Sequence, residues 1–160
     1  MDSKSISTIL MVGVILLLII ATALDFFAFD RARKSVSITA FSISAAVLTG
    51  LAIILMGIAA FMGGYGFFSI APILLFISGL LLVVAIILDV VGEIRAGQGD
   101  PKDAAAAVLF AGIFALISMV LIIIAIIVHG VTAAAEEVAE SPAGQTLINT
   151  IAANPELLLV

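Results

Sequence analysis

The stretch LLLIIATALDFFAFDRA, residues 16–32, decides the fold, because an edited copy, LLLVVAIILDVVGEIRA, returns at residues 80–96. Both copies begin with three leucines, both carry a Leu-Asp pair at the same place, and both end in Arg-Ala. The aspartates of the two pairs are Asp25 and Asp89. Each copy predicts an apolar membrane helix that ends in charged residues at the membrane surface.

The composition is typical of a membrane protein. Of the 160 residues, 64% are hydrophobic and 11% are charged, and the mean hydropathy is +1.44. A soluble domain has about 25% charged residues, so this chain has too few charges to cover a water-facing surface. Its six lysines and arginines form no continuous stripe, which argues against nucleic acid. The sequence therefore predicts the lipid bilayer as its surroundings and no nucleic-acid partner.

Several kinds of catalytic and metal chemistry need residues that the chain lacks. It has no cysteine, which excludes disulfides and thiolate metal sites, and one histidine, His129, which excludes a multi-histidine site. Its serines have no histidine or lysine at a spacing suited to nucleophilic catalysis. No glycine-rich loop is followed by the lysine that a phosphate site requires. We therefore expect no enzyme activity, no cofactor and no metal site.

Four apolar segments are predicted to cross the membrane, since each reaches the length of about 20 residues that a span requires. They are residues 6–29, 36–62, 67–88 and 104–128. A cleaved signal peptide is the alternative for the first segment, because Ala21-Thr22-Ala23 has the small-x-small form of a cleavage site. The recurrence of this segment inside the chain favours a retained helix.

The fold class predicted is an all-α integral membrane protein built from two tandem helical hairpins of the same topology, residues 6–62 and 67–128. The tetrad Ala-Ala-Val-Leu at 45–48 returns at 106–109, with a three-residue change in offset, and extends the repeat to the second helix of each hairpin. Two such hairpins imply a pseudo-two-fold axis along the membrane normal.

Small residues are predicted to bring the helices close together. In lipid, apolar contact alone gives no preference for protein over lipid tails, so small side chains that let backbones approach are favoured at interfaces. Such residues recur about every four positions in the second and fourth spans: Ser42, Ala46, Gly50 and Gly57, and Ala107, Ala111 and Ala115.

Charge predicts the orientation of the spans. The segments 30–35 and 89–103, interpreted as loops, contain five of the six basic residues, and basic loops near spans stay in the cytoplasm. Both termini would then lie outside the cell or cytoplasmic membrane. The transmembrane domain is predicted to cover residues 1–130, and residues 131–160 would form an acidic and amphipathic tail outside the membrane.

Asp25 and Asp89 are the leading candidates for a functional site. A carboxylate in an apolar span is costly unless it is paired or hydrated, and two that are related by a repeat axis could bind a cation or pass a proton. The simpler interpretation, which the position favours, is that each reaches water at the membrane surface or meets an arginine. Arg31 and Arg95 are therefore interfacial candidates as well.

Two further candidates lie towards the C-terminus. His129, at the far end of the fourth predicted span, would interact with the negative end of the helix dipole or serve as a ligand shared with another subunit. The tail contains a predicted helix cap at Ser141-Pro142 and a short amphipathic helix from Gln145 to Ala153. The chain ends in four apolar residues that are predicted to dock on a partner: Leu157, Leu158, Leu159 and Val160.

The function expected first is a non-catalytic, structural or accessory subunit of a larger membrane complex, for which respiratory and membrane monooxygenase assemblies are examples by analogy. Other membrane subunits are then its partners. One alternative is a small transporter or channel, assembled as a homo-oligomer, that uses the two aspartates. Another is a structural membrane protein of a virion or vesicle.

Overall fold

The computed structural model describes residues 2–66, 69–154 and 156. Within them the chain forms five α-helices and no strand. They are α1 (Ser3–Arg33), α2 (Thr39–Met62), α3 (Ile70–Gly97), α4 (Pro101–Glu140) and α5 (Pro142–Ala153). The first four are long and apolar enough to cross a membrane, which confirms the predicted all-α membrane class with four candidate spans. The chain divides into two compact units, residues 1–126 and 127–160.

The buried side chains of α1 and α3 follow a seven-residue pattern. Steps of alternately four and three residues keep them on one stripe of the helix, which faces the interior of the bundle. In α1 the stripe is Ser7, Met11, Val14, Leu18, Ala21, Asp25, Ala28 and Ala32, with Thr22 buried beside it, and in α3 it is Ala71, Leu75, Ser78, Leu82, Ala85, Asp89 and Gly92. Each buried residue of α3 follows a buried residue of α1 by 64 positions. The tandem repeat of whole hairpins remains a prediction from the sequence.

Consecutive helices of the first unit run antiparallel. The hydroxyl of Ser7, near the start of α1, donates to the carbonyl of Ala59, near the end of α2, at 2.6 Å. The hydroxyls of Ser78 in α3 and Ser118 in α4 each donate to the other's carbonyl, at 3.4 and 3.3 Å. The ends of α1 and α3 and the starts of α2 and α4 therefore lie together. We call this the basic end, since it carries Arg31, Arg33, Lys34, Arg95 and Lys102.

The predicted loops 30–35 and 89–103 are longer than the observed ones. Helix α1 continues to Arg33 and α3 continues through Asp89 to Gly97, so that only residues 34–38 and 98–100 connect the helices of each hairpin. The prediction places the end of each helix at its charged residues. Charge alone does not break a helix, and each helix instead ends at a left-handed residue.

Both helices end in the same hydrogen-bonded motif. In α1 the amides of Ser35 and Val36 donate to the carbonyls of Ala32 and Arg31, at 3.0 and 2.9 Å. In α3 the amides of Gly99 and Asp100 donate to those of Ala96 and Arg95, at 3.1 and 3.0 Å. This is the Schellman pattern, which requires a positive φ just after the helix and favours glycine there. Gly99 has φ 74° and Ser35 has φ 59°.

The small-residue face predicted for α2 is wrong in part. Ser42 is buried, but a Cβ added at Gly50 or Gly57 would meet nothing within 4 Å. Steps of four residues drift around a helix of 3.6 residues per turn, whereas alternating steps of three and four stay on one side. The buried residues of α2 follow the second pattern: Ser42, Ala45, Thr49, Ala52, Met56 and Ala59. The face predicted for α4 is confirmed, since Ala107, Ala111 and Ala115 are buried.

The C-terminal region is helical, as predicted. Helix α4 continues to Glu140, well past the predicted end of its span at 128. The hydroxyl of Ser141 caps α5 by accepting from the amide of Gly144 at 3.0 Å, and Asn154 ends that helix. The predicted docking residues 157–160 lie outside the described residues, as do Phe67 and Phe68 at the predicted start of the third span. That residues 131–160 lie outside the membrane remains a prediction.

The two helix ends supply a stability test. Replacing Ser35→Gly removes the steric cost of a left-handed serine, and we expect it to stabilise the protein by about 0.5–1 kcal/mol. The measurement is thermal unfolding in detergent, followed by circular dichroism. Gly99→Ser is the matched control and should destabilise by a similar amount. A loss of stability in Ser35→Gly would contradict the left-handed assignment.

Candidate functional site

Asp25 of α1 and Asp89 of α3 meet in the interior of the first unit. Their exposed fractions are 0% and 1%, and their carboxyl groups are close enough to interact. Among the residues that the structure describes, no other ionisable side chain is buried. The sequence predicted equivalent positions for these two aspartates, and the structure brings them together as one pair. We call it the aspartate pair.

The helix pattern places both aspartates in the interior. Each aspartate occupies one position of the seven-residue pattern, between two small buried residues. These are Ala21 and Ala28 in α1, and Ala85 and Gly92 in α3. A side chain at such a position points at the neighbouring helices and not at lipid.

Helix α4 covers the pair. A Cβ added at Gly112 would lie 3.2 Å from the Cβ of Asp25 and 3.1 Å from the ring of Phe26. Another added at Gly92 would clash with the Val108 side chain, at 2.7 Å. Because only glycine leaves room at these two positions, α4 packs directly against α1 and α3 at the level of the aspartates.

None of the four carboxyl oxygens of the pair has a hydrogen-bond donor among the described residues. The expectation that the aspartates reach water or an arginine is therefore wrong. Two carboxylates are both acceptors, so a hydrogen bond between them requires a proton on one. A buried polar group without a partner costs about 1–3 kcal/mol, and more when it is charged.

The arginines near the pair in sequence are engaged elsewhere. Arg31 donates to the carbonyl of Ser37 at 2.7 Å and lies over the ring of Phe41, at 5.1 Å from its centre. Arg33 forms an ion pair with Asp30 at 3.1 Å. Arg95 is exposed and its nearest described side-chain partner is Gln98, at 3.5 Å. Arg31 and Arg95 thus lie at the basic end, and neither neutralises Asp25 or Asp89; their place at a membrane surface stays a prediction.

A third buried polar group lies beside the pair. Thr22 precedes Asp25 by three residues and therefore shares its face of α1. It is 5% exposed, and its hydroxyl oxygen has no hydrogen-bond partner among the described residues. The interior at this level therefore has five oxygens that the described residues leave unpaired, all on α1 and α3.

Apolar residues flank the pair on the α1 and α4 side of the bundle. Towards the basic end lies a buried cluster of Ala28, Ala32, Ile38, Ala104, Ala105 and Val108, against which Phe29 and Phe41 pack. Towards the opposite end, Leu18 and Leu82 are fully buried two turns away from the aspartates. The pair therefore has apolar neighbours in both directions along the bundle, and its polar neighbour towards the basic end lies on α3.

Glu93 is a site residue that the sequence alone does not single out. This residue of α3 follows Asp89 by four positions, so it lies on the same face one turn nearer the basic end. Its Oε1 accepts from the hydroxyl of Thr39 at 2.7 Å, and its Oε2 accepts from the buried hydroxyl of Ser42 at 3.3 Å. The spacing from Asp89 is a signal in the sequence, but the predicted third span ends at residue 88 and leaves Glu93 in a loop.

The remaining candidates do not join the site. His129 lies in α4, half-buried, and the helix continues beyond it to Glu140, so the expected interaction with a helix C-terminus is wrong. No group of three or more metal-ligating side chains is found among the described residues.

The geometry suits a proton better than a metal ion. Membrane cation sites draw on carbonyls freed where a helix is unwound, whereas α1 and α3 run unbroken through both aspartates and use theirs within the helix. The interior then offers two carboxyl groups and one hydroxyl. Sodium or calcium needs about six oxygens, while a proton needs only one acceptor with a second close by.

Comparison with known proteins gives no match: no family model, no curated protein and no solved structure is similar to this chain. The chemistry of the site therefore has to follow from its own residues.

The cost of the aspartate pair can be measured. Asparagine has the shape of aspartate, carries its own donor and needs no proton to bond to its neighbour. We expect the Asp25→Asn, Asp89→Asn double variant to be more stable than the wild type by about 1–3 kcal/mol, seen as a higher unfolding temperature in detergent.

The matched control is Asp30→Asn, which removes an exposed carboxylate and its ion pairs with Arg33 and Lys34. Exposed ion pairs contribute about 0–1 kcal/mol, so its unfolding temperature should change little. A double variant that is less stable than the wild type would show that the pair has favourable partners.

Proposed function

We propose that this protein is a small membrane transporter that moves protons by way of the Asp25–Asp89 pair. The observation that carries the proposal is the burial of two neighbouring carboxyl groups with no donor for any of their oxygens. Ionisable residues inside membrane spans are costly, and by default they indicate an ion or proton pathway.

The burial supports a proton as the bound species. Two negative charges side by side in apolar surroundings are unfavourable, and no cationic side chain compensates them within the described chain. One shared proton leaves a single negative charge and provides a hydrogen bond between the two carboxyl groups. Uptake and release of this proton is the elementary step that the pair can perform.

The proposed orientation puts the basic end in the cytoplasm. The lysines and arginines near the ends of the spans concentrate there, and the positive-inside rule assigns such ends to the cytoplasmic side. Both termini then lie outside. The aspartates are eight residues from the ends of α1 and α3, so the pair is nearer the cytoplasm than the outer surface.

Proton movement is tested in liposomes that contain the purified protein and a trapped pH-sensitive dye, with a potential set by potassium and valinomycin. We expect the wild type to acidify or alkalinise the lumen faster than empty liposomes. The Asp25→Asn, Asp89→Asn variant should fall to the rate of empty liposomes, because asparagine cannot carry the proton. Asp30→Asn, the exposed control, should keep the wild-type rate. A wild type no faster than empty liposomes would refute the proposal, as would a double variant with unchanged flux.

A non-catalytic subunit of a larger membrane complex is the second candidate. It is favoured by the exposed apolar side chains of α5, where Leu147 and Ile148 are 59% and 47% exposed. Exposed apolar residues outside the spans are typical of docking surfaces. The predicted docking of Leu157 to Val160 on a partner belongs to the same hypothesis.

Native mass spectrometry of the protein extracted in mild detergent from its own membrane separates the two candidates. Larger subunits in constant ratio are expected for an accessory subunit, and a homo-oligomer or monomer is expected for a transporter. The variant Leu147→Ser, Ile148→Ser should release such subunits if α5 holds them. Release by the control Thr146→Ser, which alters an exposed polar residue of the same helix, would count against docking through the apolar side chains.

A further inference from the structure

Glu93 lies between the basic end and the aspartate pair, and the proton transfer proposed for the pair does not yet include it. It follows Asp89 by four residues on α3, so the two side chains are neighbours, with Cβ atoms roughly 6 Å apart. Glu93 is half-buried, whereas Asp89 is buried. Burial of the carboxyl groups therefore increases from Glu93, near the end of the bundle, to the aspartate pair.

The hydrogen bonds of Glu93 connect an exposed position to a buried one. Thr39, whose hydroxyl donates to Oε1 at 2.7 Å, is exposed in the first turn of α2. Ser42, whose hydroxyl donates to Oε2 at 3.3 Å, is fully buried one turn further on. The carboxyl group of Glu93 thus has one oxygen towards the aqueous end of α2 and the other towards the interior.

The alternative route along α1 is apolar. The residue that corresponds to Glu93 in α1, 64 positions earlier, is Phe29, which packs against the buried cluster at the basic end. Glu93 is therefore the only carboxyl group of the described chain that lies next to the aspartate pair on a polar route to the surface.

No cationic side chain is paired with Glu93 among the described residues. Helix α2, whose Thr39 and Ser42 hydroxyls donate to Glu93, has no charged residue. Among the described residues, ion pairs join only Asp30 with Arg33 and Lys34, while Arg31 of α1 is held by Ser37 and Phe41. On its own helix Arg95 is near Gln98, and Lys102 and Asp103 begin α4 at the same end.

We propose that Glu93 is the positioning and proton-exchange residue through which the aspartate pair communicates with the basic end. This inference rests on the proposed function. The Glu93 carboxylate takes a proton from a hydronium ion on the Thr39 side, which leaves as water. The O–H bond at Glu93 then breaks as one forms at the Asp89 carboxylate of an unprotonated pair, directly or through one hydroxyl or water, and Glu93 returns to the carboxylate. The same steps in reverse release the proton of the pair, and no electrons are transferred.

The test measures proton exchange at the pair by infrared spectroscopy on the protein in lipid. A protonated carboxyl group has a C=O band that shifts when H₂O is replaced by D₂O, and the rate of that shift is the rate of exchange. We expect a band that is present in the wild type and absent in Asp25→Asn, Asp89→Asn. In Glu93→Gln the band should persist, and its exchange should slow by at least about tenfold, since a positioned proton donor contributes that much or more.

Glu93→Asp keeps an acid but shortens it, so its exchange rate should fall between those of the wild type and Glu93→Gln. A purely structural role would not be restored in this way by the acid alone. Glu136→Gln, an exposed glutamate in α4, is the control and should exchange at the wild-type rate. If Glu93→Gln does not fold, Glu93→Asp carries the test, with slowing of about threefold or more expected from the loss of its reach towards Thr39 and Ser42.

The possible failures are distinguishable. A band that shifts at the wild-type rate in Glu93→Gln, or in Glu93→Asp where the first variant does not fold, overturns the role of Glu93 and leaves the aspartate pair as the proton site. A wild type without the band, or a band that persists in the double aspartate variant, overturns the proposed function and the exchange role with it.

Discussion

The close approach of helix backbones through small side chains is the constraint on which the rest of this structure depends. Lipid tails are as apolar as leucine, so membrane helices gain little from burying large apolar residues against one another. Here most large apolar residues face outwards, and alanine and serine are frequent in the interior, together with a few larger side chains such as Leu18 and Leu82. At Gly92 and Gly112 even a methyl group would crowd a neighbour. This packing removes water from around Asp25 and Asp89 and leaves their oxygens only each other.

The sequence predicts the helices well and the site only in part. The four long apolar helices and the cap at Ser141 follow from local patterns, and the structure has both. The repeated Leu-Asp pair points to Asp25 and Asp89, which the structure brings together. Their burial is not evident from the sequence, because the charged residues that follow resemble helix ends and would place the aspartates near the surface.

The helix ends explain why this error arose. What stops α1 and α3 is a left-handed residue, Ser35 or Gly99, that lies beyond the charged residues. A serine with positive φ gives no signal in a sequence, since serine rarely adopts that conformation. Glu93 is not predicted for the same reason. The interior face of α2 is predicted wrongly in part, because its buried residues follow the seven-residue pattern and not steps of four. Tertiary contacts, such as those of Glu93 with Thr39 and Ser42, cannot be derived from one chain without its fold.

The fully buried leucines Leu18 and Leu82 have a consequence for proton movement through the bundle. They lie seven residues from the aspartates, about 10 Å along the helices, and they separate the pair from the end opposite the basic residues. Thr22 is buried between them and the pair on α1, and the buried hydroxyl of Thr49 in α2, near the same level, donates to the carbonyl of Ala45 at 2.8 Å. For the proposed transporter, this packed layer means that a proton on the pair has no continuous polar route to the far end. Proton movement to that end would require the helices to separate at the leucines, so the side chains that hold the bundle together would also limit leakage.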